Sequence, residues 1–167
     1  SLISAIAVAS GNSDIIWVGH NNGAVYYTLN GTAASPTWTK ANLGTPNLPS
    51  RYCMRITIDP HNSSKVYVTF GGYSSGNIWR TTNYGVNWAN ISTGLPSAPV
   101  RSLVVSPLDS NALYIGTEVG IFASPDGGAS WSPANEGPAN VAVDELFWMG
   151  NRLMAATYGR GVFAATL

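Results

Sequence analysis

The chain has 167 residues, 45% of them hydrophobic and 10% charged, with a single cysteine, Cys53. That length and apolar content fit one domain with a sizeable core and exclude a disordered chain. Eight basic residues balance eight acidic ones, so no field draws in a nucleic-acid backbone or an anionic membrane surface. One cysteine excludes an internal disulfide, and no run approaches the roughly eighteen apolar residues that span a bilayer. Charge stands well below the usual share of about a quarter, and Asn, Ser and Thr supply the polar surface, a composition expected of a secreted all-β protein.

In chain order, residues 1–11, SLISAIAVASG, have the small-residue flavour of a leader peptide but no basic start. They align with later segments and are read as the first strand of the fold. Four segments then repeat a pattern of strand, Gly-rich turn and strand: IIWVGHNNGAVYYT, VYVTFGGYSSGNIWRT, LYIGTEVGIFAS and LMAATYGRGVFAA. Val25, Ile78, Ile121 and Val162 share one apolar column, and Tyr26, Trp79, Phe122 and Phe163 fill the next with an aromatic ring. A short apolar strand precedes each unit, with the same step from Ile6 to Ile16, Ile56 to Val66 and Leu103 to Leu113, shortened only in the fourth.

The links SGNSD, DPHNSS and SPLDSN are made of residues that favour tight turns through backbone angle or local side-chain hydrogen bonds. A fourth strand is carried by Trp38, Trp88 and Trp131 in the first three units. Each unit is therefore an antiparallel meander of about 40 to 50 residues, the size of one β-propeller blade. The expected fold is all-β, one partial propeller domain over 1–167, with blades at 1–48, 49–97, 98–138 and 139–167. No helix is expected, because the apolar runs are short, β-branched or aromatic, and closely punctuated.

The turn between third and fourth strands reads TTNYGVNW in the second unit, with Thr81, Asn83, Gly85 and Trp88, and SPDGGASW in the third, with Ser124, Asp126, Gly128 and Trp131. This motif resembles the Asp-box, or BNR repeat. Its physical logic is a structural clip: a short acidic or amide side chain accepts the turn's N–H groups, Gly takes a left-handed angle, and Trp packs back on the hairpin. Trp131 is expected to matter more to stability than Asp126. The first unit departs from the pattern, because Thr28 and Asn30 are followed by the insertion GTAASPT before Trp38, so a longer turn is expected. The fourth departs further: Ala165 stands where Ser or Thr belongs, and no box follows.

The resemblance covers the chain and implies a propeller of the group that includes sialidases, xyloglucanase-like glycoside hydrolases, sortilin-like receptors and photosystem assembly factors. RITIDPHNSSKVYV and AATYGRGVF are most similar to the xyloglucanase-like and uncharacterised secreted BNR proteins. Three blades and a partial fourth lie at the bottom of the usual range of about four to eight. Blades bury apolar faces against their neighbours, so an open arc leaves two end faces uncovered. The arc can be a segment of a larger ring, one of two chains completing a ring, or a small four-bladed closure. The segment reading is preferred.

In such a meander the turns between second and third strands share one end of the blades with the inter-blade links. That end gathers His20, Asn21, Asn22, Tyr73, Glu118, Tyr158 and Arg160 from the turns, and Arg51, Tyr52, Arg101 and Glu136 from the links. Loops on a rigid scaffold are where binding usually sits, and aromatic rings beside Asn, Arg and Glu suit stacking on sugars and hydrogen bonding to their hydroxyls. Asp14, Asp59, Asp109 and Asp126 fall at the opposite end as turn formers.

Glycoside hydrolysis needs two carboxyl groups about 5 to 5.5 Å or 6.5 to 9.5 Å apart. Glu118 and Glu136 are the weak catalytic candidates, with Asp144 behind them. Asp144 and Glu145, adjacent on a strand, are expected to point to opposite faces. The GYSSG stretch around Ser74 fits a nucleophile pattern but continues into a strand where an elbow needs a helix. His20 and His61 fall at different ends, and no zinc, calcium or phosphate motif appears. No cofactor or metal is expected.

Asn30, Asn62 and Asn90 head glycosylation sequons, and Cys53 reads as a buried small hydrophobe. The reading is a secreted recognition or scaffold module with a polysaccharide or glycan as ligand, completed by another propeller segment or chain. The alternatives are a fragment of a xyloglucanase-like glycoside hydrolase and a sortilin-like or assembly-factor-like protein-interaction propeller.

Overall fold

A computed structural model of the chain describes residues 1–41, 47–134, 138 and 140–166. Strands β1 (Ile3–Ala9), β2 (Asn12–His20), β3 (Val25–Thr28) and β4 (Thr39–Lys40) form the first antiparallel sheet, in chain order. The second holds β5 (Cys53–Asp59), β6 (Asn62–Phe70), β7 (Ile78–Thr81) and β8 (Ala89–Asn90). The third holds β9 (Val100–Val105), β10 (Leu113–Thr117), β11 (Gly120–Ser124) and β12 (Ser132–Pro133). The fourth has three strands, β13 (Val143–Met149), β14 (Arg152–Thr157) and β15 (Gly161–Thr166). There is no helix among the described residues, and the four sheets are arranged as β-propeller blades. SLISAIAVASG is indeed the first strand and its turn, and the fourth strands of the first three sheets begin directly after Trp38, Trp88 and Trp131.

The first strands lie innermost, β1 beside β5, β5 beside β9 and β9 beside β13. Alternation along each strand gives every sheet a rear face toward the preceding sheet and a front face toward the next. The core is the filling between them. Trp17, Val25 and Ala41 from the front of the first sheet pack with Ile56, Val68, Phe70 and Trp88 from the rear of the second. Tyr67, Ile78 and Ile91 meet Val100, Leu103, Leu113 and Ile115 across the next gap, and Ile121 meets Val143, Leu146, Leu153 and Ala155 across the third.

The inner strands are not regular. Pairing slips by one residue between Ile3 and Ala5, between Cys53 and Arg55, and between Val143 and Glu145, and the partners of β9 slip at the matching place. Each slip is a β-bulge whose additional residue is Ser4, Met54, Arg101 or Asp144, and a bulge re-aims a side chain out of the ladder. The bulge separates Asp144 from the regular alternation that would have set it simply opposite Glu145.

The clips are formed as hydrogen-bonded turns. Ser124 Oγ donates to Asp126 Oδ1 at 2.8 Å and accepts from Gly128 N at 2.8 Å, while Ser130 N donates to Asp126 Oδ1 at 2.9 Å. Thr81, Asn83, Gly85 and Asn87 repeat this geometry in the second sheet. In the first sheet Thr28 Oγ1 donates to Asn30 Oδ1, and the inserted turn is longer, so the donor to Asn30 is Thr37 N at 2.9 Å. The tryptophans reach beyond their own hairpins: Trp88 Nε1 donates to Ala41 O and Trp131 Nε1 to Ile91 O, each in the preceding sheet. Gly85 is required for two reasons, its φ of 79° and the 2.8 Å that a Cβ there would leave to the Ala41 Cβ.

Candidate functional site

The turns after β2, β6, β10 and β14 close at the same end of the sheets as the starts of the inner strands. Main-chain bonds tie the two together, from Asn21 N to Leu2 O, Gly71 N to Tyr52 O and Tyr158 N to Ala142 O. This end is the mouth of the arc. Tyr73 and Tyr158 project from turns, three-quarters exposed, and Tyr52 stands half-exposed at the start of β5.

Arg101 organises the mouth. Its Nε and Nη2 donate to Glu118 Oε1 at 3.0 and 2.6 Å, and its Nη1 donates to Asp144 Oδ1 at 2.9 Å. One guanidinium thus bridges the β10–β11 turn of the third sheet and the bulge of the fourth. All three side chains are part-exposed, so the array is reachable by a ligand. The Glu118 hydrogen bonds, followed by the nearby negative charge of Glu118 and Asp144, push the Arg101 pKa further above its ordinary value against the cost of burial. Deeper along the axis Arg55 Nη2 pairs with Glu145 Oε2, joining the inner strands of the second and fourth sheets across the third.

The other expected mouth residues divide. Arg51 Nη2 donates to the carbonyls of Ser75 and Gly76 at 3.2 and 3.1 Å, so it braces the turn that carries Tyr73, and burial lowers its pKa. Asn21 and Asn22 spend their Oδ1 atoms on the N–H groups of Leu2 and Ala24. Arg160 is exposed in the β14–β15 turn. His20 turns away to the rear of the first sheet, where its ring meets Tyr26 edge-on at 5.5 Å and Nδ1 lies 3.1 Å from Ser1 Oγ. Glu136 lies outside the described residues.

At the opposite end the aspartates brace turns. Asp14 accepts from Thr32, Asp109 from Asn111 N, and buried Asp59 from His61 N, with Lys65 Nζ 3.3 Å away. His61 binds Ser106 O at that end, far from His20, and Ser74 sits in an ordinary turn between two strands. Sequence reasoning did not single out Arg55 or the bulge position of Asp144. Its available signal was the three-residue spacing of rear-face apolar pairs such as Val143 and Leu146, which breaks strand alternation.

A second concavity, of about 350 Å³, lies on the rear face of the first sheet and is lined by Ser1, Ile3, Val18, His20, Tyr26 and Trp38.

No family model and no curated protein matches the sequence. Among solved structures the chain is similar to a GH74 enzyme of Niastella koreensis, at 17% identity and a TM-score of 0.74, over 98% of this chain and 28% of that one. It is similar to the GH74 xyloglucanase of Xanthomonas campestris, at 15% identity and 0.70, over 93% of this chain and 26% of that one. A structure of YCF48 bound to D1 peptide matches at 16% identity and 0.68, over 98% of this chain and 51% of that one. The chain spans about a quarter of the length of the two GH74 proteins. These likenesses show a propeller fold.

Proposed function

We propose that this chain is part of an extracellular Asp-box propeller module that binds carbohydrate at its mouth without cleaving it. The observation that carries the reading is the placement of Tyr52, Tyr73 and Tyr158 at one end of the sheets with the Arg101–Glu118–Asp144 array. Exposed tyrosine rings offer flat apolar surface for the carbon face of a sugar, and charged groups held in fixed geometry match its hydroxyls. The turn clips support the Asp-box assignment. The sparse charge and Asn/Ser/Thr-rich surface favour an extracellular setting, and the fold likeness to a xyloglucanase favours a β-glucan as the first ligand to try. Recognition is favoured over turnover because Glu118 and Asp144, the two carboxyl groups of the mouth, are both engaged by Arg101, whereas glycoside hydrolysis requires a pair of carboxyl groups free to act on the glycosidic bond.

The test is affinity electrophoresis and titration calorimetry against xyloglucan and a panel of plant glycans, with a reducing-end assay in parallel. Binding without new reducing ends is expected, weakened about fivefold or more by Tyr73→Ala or Tyr158→Ala, the effect of about 1 kcal/mol for a contact residue. Cleavage that disappears in Glu118→Gln would make the module a hydrolase fragment. Silence across the glycans, with retention of a peptide ligand, would place it with protein-binding propellers.

A further inference from the structure

The two ends of the arc carry unlike halves of one interface that the chain already builds three times. On the rear of the first sheet Ile6 is 61% exposed, whereas the matching Ile56, Leu103 and Leu146 are 3%, 1% and 2% exposed. Trp38 is 47% exposed there against 4% for Trp88. On the front of the fourth sheet Val162 is 62% exposed, whereas Val25, Ile78 and Ile121 are 0%, 0% and 8%. Among the described residues, β1 does not join β13 in the close packing that links the other inner strands.

We infer that the occupant of these faces is a second copy of this chain, packed head to tail so that the front of each fourth sheet covers the rear of the other copy's first sheet. The occupant follows from matching positions. The concavity lined by Ile3, Val18, His20, Tyr26 and Trp38 corresponds in the second sheet to Cys53, Val68, Phe70, Trp79 and Trp88. That second-sheet site is filled by Trp17, Val25 and Ala41 from the sheet before it. On the fourth sheet Met154 stands where Trp17 stands on the first, and Val162 stands where Val25 stands. Met154 is an unbranched thioether that adapts to an aromatic-lined gap.

Charge agrees with the same register. Lys65 Nζ reaches the carbonyl and hydroxyl of Ser110 in the following sheet at 2.8 and 2.9 Å. Arg152 occupies the Lys65 position, and the position of Ser110 is Ser13 in the first sheet, beside Asp14. Two copies of four sheets make an eight-bladed ring, within the range of about four to eight blades. A heterologous contact used twice around a two-fold axis closes and leaves no open end. This inference is independent of what the mouth binds.

Sedimentation velocity and light scattering over a concentration series test it, on the chain and on Ile6→Glu and Val162→Glu. Both positions are exposed in the single chain, so unchanged circular dichroism is expected, and each variant should melt with the wild-type chain at dilutions where that chain is dissociated. The chain should form a two-copy species, each variant should associate at least tenfold more weakly, and an equimolar mixture of the two variants should recover a pair. The mixture recovers because an intact front of one then meets an intact rear of the other. A wild-type chain that stays monomeric at every concentration would overturn the inference and assign the faces to further blades of a longer polypeptide. A pair that survives Val162→Glu but not Ile6→Glu would mean rear-to-rear contact, and open-ended growth would mean a filament; either result overturns it.

Discussion

Trp88 Nε1 donates to the backbone carbonyl of Ala41 at 2.7 Å, so the tryptophan that follows the second sheet's clip fastens that sheet to the one before it. Its ring also meets Trp17 edge-on at 6.2 Å, inside the first inter-sheet core. Trp131 makes the same bond to Ile91 but remains half-buried. The clip and the indole therefore work at different levels: the clip shapes the hairpin, and the indole joins blades.

Trp88→Ala should accordingly destabilise the chain by about 3–5 kcal/mol, the usual cost of deleting a buried indole. Trp131→Ala should cost less, and Asp126→Ala, at an exposed turn, less again. Urea unfolding of the three variants checks the order. An Asp126→Ala penalty exceeding that of Trp88→Ala would show that the clip rather than the inter-sheet indole governs stability.

How much of this was legible in the sequence depended on whether the signal was local. The columns Val25, Ile78, Ile121, Val162 and Tyr26, Trp79, Phe122, Phe163 announced the repeated hairpin because strand alternation is set by neighbouring residues. The clip residues were equally readable, since Ser124 and Asp126 bond within their own turn. The direction of the indoles was not, because Trp88 finds its acceptor in Ala41, 47 positions away. At the mouth, Arg101, Glu118, Tyr73 and Tyr158 could be assigned to one end from topology, but the pairing of Arg101 with Asp144 needed the bulge of β13. That bulge recurs at the matching place of the other three sheets, and its trace in the sequence is only the three-residue step from Val143 to Leu146, which strand alternation does not anticipate. His20 was assigned by its turn and went to the blade face instead, drawn by Tyr26 and Ser1.

Asp126 supplies a pH signature. Hydrogen bonds from Ser130, from its N–H and from Ser124 hold the carboxyl pKa down to about 2 from an ordinary 3.8. The folded pKa lies below the unfolded one, so the stabilisation is fully present above the unfolded value and is lost as pH falls through the folded value. Stability should therefore decline as pH falls from 4 to 2, and Asp126→Asn should flatten part of that decline. Asp14, lowered in the same direction by Thr32, should retain the remainder. Carboxyl carbon shifts followed by NMR should show Asp126 titrating near the bottom of this window. A midpoint near 4 would mean the turn is open in solution.

The first two sheets pack tightly where Gly19 faces Cys53. A Cβ added at Gly19 would sit 2.3 Å from Cys53 Sγ and 3.2 Å from Ile56 Cδ1, and Cys53 is fully buried. Gly19→Ala must push the sheets apart or force a side chain off its rotamer, which costs about 1–3 kcal/mol in a packed core. Removing the sulfur in Cys53→Ala opens the same space, so the double variant should lose less than the two single losses added together. Burial also pushes the Cys53 thiol up to about 12, which removes the reactive thiolate at neutral pH. Thiol reagents should therefore leave the native chain unmodified and label Cys53 only in denaturant. Additive losses in the double-mutant cycle, or rapid labelling of the native chain, would show that the first sheet is not held against the second as closely as Gly19 permits.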